Sequence, residues 1–405
     1  MRATRIRRQV GGIVNLFHEK RGWIFLTVTL GFFLMNGFRF IIPALVPHIR
    51  AEFGMDLSTI GLLLTLLWVA YAVGQVPGGL LGDRFGERNI LVGSAVFGLA
   101  MIGLIVISPH QYGFFIAVIG FGLALGFYSP TRLTVLTDMF PTRSGTVIGL
   151  NLGFSSVGLT VLPIIGAFLA GAIGWRIGLG FVLPFLLVSV IGLWIAVPKR
   201  TSKAMKSGES TFESLGKPLA TIRDPPVIAA IGAMFCMHFL FQGFTSFYPT
   251  YLVDIKGMSE EFAAIIFGLF FALGTVMQPA SGVIGDRIGA RRAMLLIVGI
   301  TVAGMLALPL SDWVPMILLV TAILSIQRGF WPIANSYLID LFPEDIQSTG
   351  LGFSRTTYIL LAASGPVIVG AIANAGYFEE AFLMMAALAA LGGACIIYLM
   401  ITDPQ

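Results

Sequence analysis

The stretch GLLGDRFGER, residues 79–88, returns 203 positions later as GVIGDRIGARR, residues 282–292. Working outward from this pair, further matches appear at nearly the same offset. Gln75 maps onto Gln278, Gly54-Met55 onto Gly257-Met258, and Pro163 onto Pro366. Pro130 and the Asp138-to-Pro141 tetrapeptide map onto Pro332 and Asp340-to-Pro343. With a slip to 206, Asn36-Gly37-Phe38 maps onto Gln242-Gly243-Phe244 and Pro43 onto Pro249. An ordered series of matches along both halves marks an internal duplication.

The material between these landmarks is apolar. Of 405 residues, 57% are hydrophobic and 11% charged, with a mean hydropathy of +0.91; a soluble chain would carry about 25% charged residues. Most of the chain must therefore face lipid. The 49 glycines and 33 phenylalanines suit helices that approach closely and also touch acyl chains. Twelve apolar runs are long enough to span a bilayer: 22–48, 58–81, 89–108, 112–139, 145–172, 176–198, 227–253, 261–284, 293–310, 313–341, 350–373 and 380–402. The polar, basic segment 199–226 reads as a linker between six-helix bundles at 22–198 and 227–402, and 1–21 as a basic N-terminal segment. With the N-terminus inside, 18 Lys/Arg fall on the cytoplasmic side and three (Arg50, Arg176, Lys256) outside, so both termini are expected to be cytoplasmic. The first run is too long for a signal-peptide core and lacks a cleavage site. The spread of basic residues over short loops reflects topology rather than nucleic-acid binding. Cys236 and Cys395 lie inside apolar runs, which offers neither a disulfide framework nor a metal cluster. No cofactor is expected, and the chain is expected to act as a monomer.

Residues 79–88 and 282–292 resemble the loop 2–3 signature of the major facilitator superfamily, GxxxD(R/K)xG(R/K)(R/K). With twelve runs, a central linker and the Gly174-Trp175-Arg176 corner, the resemblance extends over essentially the whole chain. It implies an all-α membrane protein of two pseudo-symmetric six-helix halves, with a substrate path between them. It also implies a conformational latch at the loops: Asp83 facing the start of run eleven, and a loop arginine pairing with Asp138. The matching latch residues are Arg84, Arg88, Asp286, Arg287, Arg291 and Asp340. The sequence departs from the signature at Glu87 and Ala290, which stand where the first basic residue is expected.

Four arginines lie inside membrane runs: Arg39, Arg132, Arg328 and Arg355. A charge at the helix centre costs about 2.5–3.5 kcal/mol on insertion scales. In the resembling fold, runs one, four, seven and ten border the central path most closely, and Arg39, Arg132 and Arg328 fall on three of them. All 20 acids lie in loops, termini or helix ends. Arg39 and Arg328 thus have no internal counter-ion, and a buried guanidinium needs an anion from elsewhere. The expected substrate is a small organic anion, carboxylate-like, held bidentately. Arg132 is six residues from Asp138 and fits either site or latch; Arg355, early in run eleven, fits a latch with Asp340.

Asn36 and Pro43 share a face with Arg39; Tyr128 shares one with Arg132; Trp331, Pro332 and Asn335 share one with Arg328. Trp68, Tyr71 and Gln75 form a stripe on run two, and His238, Gln242 and Thr245 another on run seven. His238 is the candidate for proton coupling, since no membrane acid competes with it; the substrate's own carboxylate is the other possible proton carrier. The competing reading is proton-coupled multidrug efflux. It is weakened by the missing Gly-Pro pair in run five and the missing membrane acid. The Gly-Asn-rich signatures of nitrate carriers are absent from runs five and eleven. An enzyme is excluded by the lack of HExxH, GxSxG, Walker or Cys/His constellations.

Overall fold

The computed structural model describes residues 20–199, 223–343 and 346–402. The linker and the basic N-terminal segment lie almost wholly outside these. Among the described residues there is no strand, and twelve helices are long and apolar enough to cross a membrane. They are α1 (Arg21–Ala44), α2 (Leu57–Phe85), α3 (Glu87–Ile107), α4 (Gln111–Met139), α5 (Ser144–Ile173), α6 (Trp175–Ala196), α7 (Pro225–Asp254), α8 (Glu260–Ile288), α9 (Ala290–Ala307), α10 (Val314–Asp340), α11 (Thr349–Asn374) and α12 (Phe378–Thr402). A short helix, Val46–Phe53, follows α1.

The duplication is visible in the backbone. Left-handed glycines come in pairs: Gly54 (φ 63°) with Gly257 (66°), Gly86 (88°) with Gly289 (90°), and Gly174 (111°) with Gly376 (91°). The left-handed conformation costs other residues roughly 1–2 kcal/mol, so each turn requires its glycine. Helix starts match too. The Asp56 side chain caps α2 by accepting from the Thr59 N–H, and Ser259 caps α8 by accepting from the Phe262 N–H, the same geometry 203 residues on.

Burial separates inner from outer helices. Every residue from 37 to 46 in and beyond α1, and from 239 to 252 in α7, is buried; helices apolar on all sides belong at the centre. In contrast, α6 exposes Trp194 and Ile195, α3 exposes Ile107, and α12 exposes Leu391 and Ile401. These are lipid-facing positions.

The first six helices meet the last six at one end of the bundle. There α2 lies against α11 so closely that a Cβ on Gly61 would stand 2.5 Å from the Pro366 carbonyl oxygen. One on Gly370 would stand 2.4 Å from that of Leu57. The Asn374 side chain accepts from the Leu57 N–H (3.2 Å) and donates to Asp56 (3.3 Å), while the Val367 N–H donates to Thr65 (3.0 Å). Arg50 pairs with Asp254 at 2.7 Å, and His48 with Glu260. Near the other end, which carries the 79–88 and 282–292 loops, the same two helices are uncovered: Val76, Leu80 and Phe85 of α2 and Phe353 of α11 are exposed. The bundle is sealed at the first end and splayed at the second.

Candidate functional site

Beneath the seal, a network of aromatic rings joins the two sets of six helices. The Phe40 ring on α1 is 4.8 Å from Phe271 on α8 and 6.3 Å from Phe241 on α7. Trp68 on α2 meets His238 on α7 at 5.9 Å. His238 in turn meets Trp331 on α10 (4.8 Å) and Tyr358 on α11 (5.4 Å), which stack on each other at 6.1 Å. Two arginines lie on this aromatic floor. Arg39, 8% exposed, has its guanidinium carbon 4.0 Å from the Trp68 ring centre and 4.9 Å from that of Tyr71. Arg328 stands 5.3 Å from Phe241 and 5.5 Å from Phe271. Aromatic faces attract such cations without supplying a counter-charge.

Each arginine is four residues before a proline, Arg39 before Pro43 and Arg328 before Pro332. Proline has no N–H to return to the carbonyl four residues back and its ring crowds that carbonyl. In α10 the helix responds by tightening into a 3-10 turn over Ile326–Gly329, with Arg328 on it. A mid-helix turn of this kind often marks a functional hinge. The Arg328 stem lies against α8, where a Cβ on Gly274 would be 2.4 Å from Cγ of Arg328.

Hydrogen bonding leaves both guanidinium groups underused. Arg39 Nη2 donates to Asn36 Oδ1 (2.8 Å), and Asn36 in turn donates to Ser155 (2.8 Å). Its Nε and Nη1 are buried without partners, as is Nε of Arg328. Neither arginine forms a salt bridge among the described residues. Other polar atoms are buried and unpartnered as well: both ring nitrogens of His238, Gln75 Nε2, Gln242 Oε1, Asn335 Oδ1 and the Gln327 amide. Gln327 is the one residue of this set that sequence reasoning missed. Its neighbour Arg328 and the proline five residues on were the signal available.

Tyr128 and Arg132 are placed differently from expectation. Tyr128 is fully buried and donates to the Val28 carbonyl of α1 at 2.9 Å, so its hydroxyl is committed to packing. Arg132, 5% exposed, donates to Asn151 Oδ1, and Asn151 donates to Thr29 (3.0 Å). Its guanidinium carbon is 3.5 Å from the Phe32 ring centre. This chain links α4, α5 and α1 within the first six helices. Tyr71 approaches Ser129 at 3.4 Å, joining α2 to α4 beside Arg39.

A model of the Major Facilitator Superfamily matches residues 27–327 and 257–405. The chain belongs to the Major Facilitator Superfamily. Among its relatives, an uncharacterized MFS-type transporter, YwfA of Bacillus subtilis, is 28% identical over 91% of this chain and 89% of its own length. The 4-hydroxybenzoate transporter PcaK of Pseudomonas putida is 26% identical over 86% of each chain. A crystal structure of a bacterial homolog of the lysosomal transporter Spinster, inward-facing and occupied, superimposes with a TM-score of 0.79 at 17% identity, covering 94% of this chain and 97% of that one. The protein is thus a multi-pass membrane transporter of this superfamily and not an enzyme.

The superfamily loops hold the residues that the resemblance implies for a latch. Asp83, Arg84, Asp138, Asp286, Arg287 and Asp340 are exposed at the splayed end. Arg88 lies 4.5 Å over the Trp194 ring of α6. Arg291 donates to the Leu399 carbonyl of α12 at 2.7 Å, so this loop ties helices within the last six. Arg355 is exposed and forms no salt bridge with Asp340 among the described residues. At the sealed end, hydrogen bonds from Thr59 hold the Asp56 carboxyl below its ordinary range.

Proposed function

We propose that this facilitator is a secondary active transporter moving a small, carboxylate-like organic anion across the cell membrane, coupled to protons. One observation carries the reading: Arg39 lies 5.0 Å from the Phe40 ring and Arg328 5.5 Å from Phe271, two rings in contact, and both arginines have buried, unpartnered N–H groups and no carboxylate salt bridge among the described residues. Asn36, Gln75, Gln242, Tyr71, Trp331 and Asn335 complete the cargo site. Relatives named for anions support it: besides the 4-hydroxybenzoate transporter, a hexuronate transporter of Bacillus subtilis, 26% identical over 87% of this chain, and a cis,cis-muconate transport protein of Acinetobacter baylyi, 27% identical over 84%. Multidrug efflux is less well supported, because no acid in mid-membrane is available to hold a cationic drug.

Transport proceeds by rocking of residues 22–198 against 227–402, and the present conformation, splayed at the loop end, is the inward-open one, with both termini cytoplasmic. The anion neutralises Arg39 and Arg328 across the interface, which lowers the cost of occluding them. The protein works as a monomer.

Thermal shift across a panel of carboxylates tests this. The wild type should be stabilised by at least one anion. Arg39→Gln should fold yet lose the shift for every anion. An undiminished shift in Arg39→Gln would remove Arg39 from the site.

A further inference from the structure

His238 is a half-buried titratable group that cargo binding by arginine does not use. It projects from the middle of α7, and both ring nitrogens are buried without a hydrogen-bond partner. The tautomer of a neutral imidazole is set by the hydrogen bond that one of its nitrogens makes. Instead, the ring is enclosed by aromatic groups from four helices: Trp68 (5.9 Å), Phe241 (5.9 Å), Trp331 (4.8 Å) and Tyr358 (5.4 Å). The charges that act on it are Arg39 of α1, Arg328 of α10 and Arg355 of α11; Tyr358 is the titratable group in ring contact. Among the described residues, these charged neighbours are all positive.

This arrangement couples two binding events. An imidazolium beside these guanidiniums would be one more like charge in a low-dielectric setting. An anion placed between Arg39 and Arg328 cancels part of that field and offers an oxygen to an imidazole N–H. The aromatic faces around the ring then favour the cation rather than merely tolerating it. Resting on the anion reading above, we propose that His238 is the proton-binding group of this transporter and accepts its proton together with the cargo anion. One proton moves from water on the open side to a ring nitrogen lone pair as one anion enters, and it leaves with the anion. The loaded site then crosses the membrane with no net change in charge, and the two ligands raise each other's affinity equally.

The sign follows from the same linkage. The proton is gained on binding, so the anion binds more tightly as pH falls. Its affinity should weaken about tenfold per pH unit above the range in which the free site is protonated. Asp56 does not mimic this. Its depressed carboxyl stays ionised until the pH falls through its lowered folded value, below the ordinary carboxylate pKa of about 3.9. It contributes no slope near neutrality.

The test is calorimetric titration of the full chain in two buffers of different ionisation enthalpy, which counts protons taken up per anion. The probes are benzoate with benzenesulfonate, and D-glucuronate with ethanesulfonate. A sulfonate remains ionised throughout, so any proton taken up with it belongs to the protein. The expected result is about one proton per anion with carboxylate and sulfonate alike. His238→Gln and His238→Asn should take up none and bind with an affinity that no longer changes with pH. Uptake with the carboxylates but not the sulfonates would assign the proton to the cargo and overturn the proposal. Full uptake in the His238 variants would do the same. Should neither variant fold, the wild-type sulfonate titration still decides, since zero uptake there excludes a protein proton site. If none of the four probes binds, the anion reading itself fails, and this inference with it.

Discussion

At the scale of single residues, four intramembrane arginines have three different settings, which sequence spacing alone does not separate. Arg39 and Arg328 retain unpartnered nitrogens over aromatic rings, Arg355 is exposed, and Arg132 is tied to Asn151. The Asn151 amide completes a relay from α4 through α5 to Thr29 on α1. Asn151→Leu would leave a buried guanidinium without its acceptor, a loss of about 1.5–3 kcal/mol for a hydrogen bond to a charged group. The melting temperature should fall accordingly, while the wild-type anion-induced shift persists. Loss of the shift at unchanged stability would instead return Arg132 to the cargo site. The sequence placed Arg132 beside Asp138 as readily as in the path. What distinguishes them is a partner 19 residues away on another helix, which no local pattern reveals.

At the scale of helices, a proline follows each of the two proposed cargo arginines by four residues. Both Arg39-to-Pro43 and Arg328-to-Pro332 spacings were readable in the sequence. The 3-10 turn over Ile326–Gly329 was not, because the same spacing to Pro43 leaves α1 an α-helix; what the structure adds is the support of α8 against the turn. That support is specific: Gly274 provides the space occupied by the Arg328 stem. Gly274→Ala would place a methyl group against Cβ and Cγ of Arg328, and overpacking of this kind costs about 1–3 kcal/mol. If the side chain moves to relieve the strain, anion affinity should fall by about tenfold or more, as read by titration with benzoate. An unchanged affinity would show that the guanidinium head keeps its place regardless of its stem, and would take α8 out of the positioning of the site.

For the whole molecule, the paired glycines at Gly54/Gly257 and Gly86/Gly289 carry the duplication from sequence into backbone, so the twelve-helix plan was legible before any coordinates. The sealed conformation was not. It depends on contacts such as Asp56 with Asn374, 318 residues apart in the chain, and on the glycine-mediated approach of α2 to α11. If alternating access is correct, this contact must break once per cycle. Replacing Asp56 and Asn374 by cysteine, in a background with Cys236 and Cys395 changed to alanine, allows a short bis-methanethiosulfonate reagent to bridge the two thiols by reducible disulfides and hold the seal shut. The bridged protein should still be stabilised by the anion, because the cargo residues remain reachable from the splayed end. Counter-flow in proteoliposomes should cease and return when a cleavable bridge is reduced. Binding would then be separated from translocation in one molecule, with every arginine in place. Continued counter-flow by fully bridged protein would mean that cargo passes without parting α2 from α11, and the rocking of residues 22–198 against 227–402 would have to give way to a local gate.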